Sequence, residues 1–87
     1  MDEATKMAIM SDWLGAVATE IDADPALITA HRDELLDLVG AIAHGPSRPG
    51  APMTLFLLGM RAGAGEDVSE LVTKVNALVE SYVPQER

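Results

Sequence analysis

The side chains here that could do chemistry are two histidines, four serines and fourteen carboxylates in 87 residues. Asp33 and Asp37 lie one helical turn apart with Glu34 beside them, a spacing that could hold a hard cation or exchange protons if buried. They fall opposite an apolar face that runs from Leu35 to Ile42, so they read as solvated surface. No Glu-x-x-His pair of the di-iron bundle type occurs, and no metal is expected. None of Ser11, Ser47, Ser69 and Ser81 sits in a Gly-x-Ser-x-Gly elbow. His31 has Glu34 three positions on, a local pairing that explains it without function. Gly59, Gly63 and Gly65 lack the lysine of a phosphate loop, and Glu66 and Asp67 behind them would repel phosphate. No catalytic residue and no cofactor is read from the chain, and an enzyme is not expected.

One stretch invites a binding role: the junction from His44 to Thr54. A helix begins within it, and the first turn of a helix offers unpaired N–H groups and positive potential. Arg48 is one of only six basic residues, His44 stands at the end of the preceding helix, and Thr54 adds a hydroxyl. His44, Arg48 and Thr54 could together take a carboxylate or phosphate group. A structural reading competes with this one. His44 could cap its own helix, Thr54 could bond its own backbone, and Arg48 could tie down the loop.

The elements that would position these residues follow from apolar spacing. Met7, Met10, Leu14, Val17 and Ile21 recur at steps of three and four, which predicts a helix over about 2–21 with Trp13 packed at the edge of its stripe. Asp24-Pro25 favours a new start, and Leu35, Leu38, Val39 and Ile42 form the face of a second helix over 25–44. Whether that segment is broken near 29 stays open. Gly45, as a left-handed cap, and Pro46 end it. The proline-rich stretch to Pro52 reads as a stiff, extended loop. A third helix over 52–63 is apolar nearly all round, which suits the middle of a bundle. Val68, Leu71, Val75, Leu78 and Tyr82 predict a fourth over 68–82, stopped by Pro84. The expected fold is all-α, a four-helix bundle with an apolar central third helix, in one domain over residues 1–87.

The composition narrows the function classes. There is no cysteine, so neither disulfides nor thiolate metal sites are available. Hydrophobic residues make up 48% and aromatics 3%, which leaves aliphatic packing to hold the core. A net charge of −8 opposes binding to phosphate backbones and to anionic membranes, so neither nucleic acid nor a membrane is expected as a partner. No apolar run reaches the roughly 20 residues of a membrane span. Met1-Asp2-Glu3 is acidic where a signal peptide would be basic, and a cytoplasmic location is expected.

The run from Val39 to Gly59 contains Ala43-His44-Gly45, Arg48-Pro49, Ala51-Pro52 and Thr54-Leu55-Phe56-Leu57-Leu58-Gly59. With Trp13-Leu14 and Asp24-Pro25, it resembles a small uncharacterised actinobacterial domain family. Members are similar to the tail domain that follows the nucleotidyltransferase domain in some molybdopterin-guanine dinucleotide biosynthesis proteins. The resemblance implies an accessory role near molybdenum cofactor maturation and no catalytic residues. A partner would be an enzyme of that process or a small anionic ligand. The alternative is a helical interaction or dimerisation module unrelated to the cofactor. The Gly59-x-x-x-Gly63 spacing would let a neighbouring helix, or a second copy of the chain, approach closely.

Overall fold

The computed structural model describes residues 1–83. The fold class is the expected one: all-α, with four helices and no strand among the described residues. They are α1 (Glu3–Glu20), α2 (Ala26–His44), α3 (Gly50–Gly63) and α4 (Val68–Ser81). The chain divides into two compact units, residues 1–30 and residues 31 onward. No helix among the described residues is long and apolar enough to cross a membrane.

In the first unit, Asp2 caps α1. Its backbone is extended, and its Oδ1 accepts from the Thr5 N–H at 2.8 Å, which satisfies one of the free donors of the first turn. The stripe of Met7, Met10, Leu14 and Val17 is half-buried, but no α1 residue is fully buried. Trp13 and Ile21 are exposed, so the tryptophan does not pack at the stripe's edge as expected. Asp22 ends the helix in the left-handed region at φ 56°, while the Ala23 N–H donates back to Ala18 O at 2.8 Å. An aspartate tolerates this conformation better than most side chains do, though less well than glycine. Asp24 Oδ1 then accepts from the Ala26 N–H at 2.9 Å and starts α2.

The backbone of α2 breaks at His31 (φ −119°, ψ 16°), two residues beyond position 29, and the second unit begins there. Its core is Leu38 and Ile42 from α2, Ala51 and Leu58 from α3, and Val68 and Val72 from α4. Leu35, Val39, Leu55, Val75 and Val79 pack around these six. Every core side chain is small or medium aliphatic, which matches the near absence of aromatics.

Gly45 follows α2 but is not left-handed; among the described glycines only Gly65 has a positive φ. Glycine is required at 45 for a different reason, since a Cβ there would stand 2.8 Å from Ala41 O. The next loop is shorter and more turn-like than the extended segment expected. Pro49 adopts helical angles, Ser47 Oγ accepts from the Gly50 N–H at 3.1 Å, and α3 is under way two residues before Pro52. Proline's fixed φ suits the first turn, where its missing N–H costs nothing.

Beyond the end of α3 the chain turns at Gly65 (φ 104°), with the Glu66 N–H donating to Arg61 O at 3.1 Å. Asp67 Oδ2 accepts from the Glu70 N–H at 2.9 Å and caps α4. Tyr82 leaves α4 in an extended conformation; the proline expected to stop it, Pro84, lies outside the described residues. The apolar character of α3 does not enclose it. Ala51 and Leu58 are buried, whereas Met53, Phe56, Leu57 and Met60 are exposed.

Candidate functional site

The three residues singled out at the junction are not brought together. His44 is exposed, and its Nδ1 bonds the Gly40 carbonyl one turn back at 2.9 Å. Thr54 donates its hydroxyl to Gly50 O at 2.8 Å, the backbone bond that threonine often makes inside a helix. Arg48 is exposed, and its side chain makes no hydrogen bond or ion pair among the described residues. Of the three, only Thr54 lines the concave surface nearby.

That surface is a groove of about 460 Å³ within the second unit. One wall is α3, through Thr54, Leu57, Leu58 and Arg61. The other is α4, through Leu71, Val75, Leu78, Val79 and Tyr82. Ile42 of α2 contributes as well, and Pro46, Ser47 and Gly50 complete the lining from the loop side. Glycine at 50 suits the tight turn, since a Cβ there would lie 3.0 Å from both Cβ and Oγ of Ser47, which would have to shift.

Electrostatically the groove differs from the rest of the chain. Among the described residues, no carboxylate lines it. Its one charged lining residue among those described is Arg61, whose Nε donates to Glu66 in the turn after α3. The Ser47 and Thr54 hydroxyls already serve the Gly50 backbone. Such a lining, apolar with a few polar groups, suits aliphatic or aromatic groups of a partner better than a phosphate. Volume and lining fall within the range of ligand-sized clefts.

A second constellation resembles catalytic machinery and is not. Glu34 Oε1 accepts from Ser69 Oγ at 2.9 Å and meets His31 Nδ1 at 3.2 Å. The carboxylate stands between serine and histidine, so the imidazole cannot take the serine proton as a triad requires. The arrangement instead fastens the first turn of α4 to α2.

The second unit is thus a small helical body with an apolar groove, and no acid–base or nucleophilic centre is assembled among the described residues. A domain of unknown function (DUF6457) matches residues 5–87. The chain belongs to that family. DUF6457 here covers the groove and all its walls, from Ile42 to Tyr82. No curated protein and no solved structure matches the chain.

Spacing alone assigned Leu71, Val75 and Leu78 to the core-facing side of α4 and did not distinguish a wall from an interior. The available signal was Arg61. In the DUF6457 chain it is the one charged residue of α3, on a helix otherwise without a cation or a carboxylate.

Proposed function

We propose that this chain is a non-catalytic accessory module whose α3–α4 groove docks onto a partner protein of molybdenum cofactor maturation. The observation that carries the docking role is the 460 Å³ groove, open and without a carboxylate among the described residues in a protein of net charge −8. The link to the cofactor rests on the resemblance of the Val39–Gly59 run to a small domain family whose members are similar to the tail domain of some molybdopterin-guanine dinucleotide biosynthesis proteins. A tail domain attached to a nucleotidyltransferase has reason to carry an interaction surface rather than a second active site. A protein partner fits better than a free phosphorylated ligand, because His44 and Thr54 spend polar atoms on their own carbonyls. The reading places the module in the cytoplasm, with neither nucleic acid nor membrane among its partners.

A photo-crosslinking residue at position 78, inside the groove, tests the proposal in source cells. The same residue at Ala77, exposed on α4 and outside the groove lining, is the control. The expected result is a covalent adduct with a cofactor-maturation enzyme from position 78 and not from position 77. Equal adducts from both positions, or none from either, would remove the docking role. An adduct confined to position 78 but formed with an unrelated protein would keep docking and remove the cofactor.

A further inference from the structure

The outer side of α3 is a second apolar surface, which meets the groove along Leu57. Met53, Phe56, Leu57 and Met60 follow the three-and-four rhythm of one helical face. Ala51 and Leu58, the buried residues of α3, fall about half a turn away from the centre of that face. Phe56 is 70% exposed and Met60 59%, with Met53 and Leu57 between them. Single exposed apolar residues are ordinary, but four large ones in one stripe are not.

We propose that this stripe is a two-fold interface with a second copy of the chain. The first argument is area. Side chains of this size at this exposure present on the order of 450–500 Å² per copy. Two copies face to face would then bury on the order of 1,000 Å², where specific interfaces begin. The second argument is charge. Copies carrying −8 each repel one another, so self-association needs a face without carboxylates. The third helix is the one helix that has none: α1 carries Glu3, Asp12 and Glu20, α2 carries Asp33, Glu34 and Asp37, and α4 carries Glu70 and Glu80.

An isologous pairing brings the same patch together twice, and antiparallel α3 helices do this with opposed dipoles. Met53 then faces Met60 of the partner subunit, with the Phe56 side chains near the axis. Gly59, beside the stripe, has open space where a Cβ would be, so the backbones can approach closely there. Leu57 is shared with the groove wall, but Met53, Phe56 and Met60 do not line the groove, so Phe56 tests this face apart from the docking reading.

Sedimentation equilibrium of the full chain from low micromolar to near-millimolar concentration tests it, with Phe56→Glu and the charge-matched control Ala77→Glu. The expected result is a monomer–dimer equilibrium that tightens as salt screens the like charges. Phe56→Glu should weaken it at least about tenfold while helical content persists, and Ala77→Glu should leave it in place. A wild-type monomer throughout the range overturns the proposal, as does a dimer indifferent to Phe56→Glu. If the monomer result comes with a lowered melting temperature in Phe56→Glu, the face is covered within the chain instead.

Discussion

Ser69 in the first turn of α4 donates a 2.9 Å hydrogen bond to Glu34 Oε1 of α2, thirty-five positions earlier. Both α2 and α4 feed the core of the second unit, and this bond fixes their relative register at one end. Ser69 is exposed and Glu34 half-buried, so solvent competes for the bond. Ser69→Ala should cost about 0.5–1.5 kcal/mol, the range of one net hydrogen bond. A double-mutant cycle with Glu34→Ala, which removes the acceptor, read by denaturant melts, should give a positive coupling energy. Zero coupling would mean that the bond does not act in solution.

Two left-handed residues give opposite expectations. Gly65 sits at φ 104°, where any side chain is strained, so Gly65→Ala should destabilise by about 1–2 kcal/mol. Asp22 sits at φ 56° with a side chain already present, and Asp22→Gly should therefore stabilise, by up to about 1 kcal/mol. Melting curves of the two variants, moving in opposite directions, check both.

Much of the fold was legible because periodicity and capping chemistry are local. Leu35, Leu38, Val39 and Ile42 named the inner face of α2, and Asp2 and Asp24 marked starts that the backbone uses. What periodicity cannot say is how much of a face another helix covers. Leu38 and Leu78 follow the same spacing rule, yet one is fully buried and the other stands in an open groove. At the junction both a binding and a structural reading stayed open for a similar reason. Residue types at His44 and Thr54 announce polar atoms but not their partners, and in both cases the partner is the carbonyl four residues back. Arg61 was passed over because a lone basic residue near a helix C-terminus is ordinary.

The Asp2 cap predicts a pH dependence of known sign. The Thr5 side chain, and after it the Thr5 backbone N–H, hold the Asp2 carboxyl below its ordinary value of 3.8. The folded chain therefore binds that proton less readily than the unfolded chain. The cap's contribution is complete above 3.8 and is lost as pH falls through the lower folded value. A carboxyl-carbon NMR titration should place the Asp2 midpoint below 3.8, and Thr5→Ala should move it upward. Amide exchange in the first turn of α1 should quicken over the same acidic range.

Leu78 offers the most direct measurement of the docking role. It lies in the groove and is 57% exposed, so Leu78→Glu should change stability by no more than about 0.5 kcal/mol. The substitution places a carboxylate in a surface that has none among the described residues. Calorimetric affinity for the protein that cross-links at position 78 should fall at least about tenfold in Leu78→Glu, with melting unchanged. An affinity equal to that of the wild-type chain would contradict the groove as the docking surface.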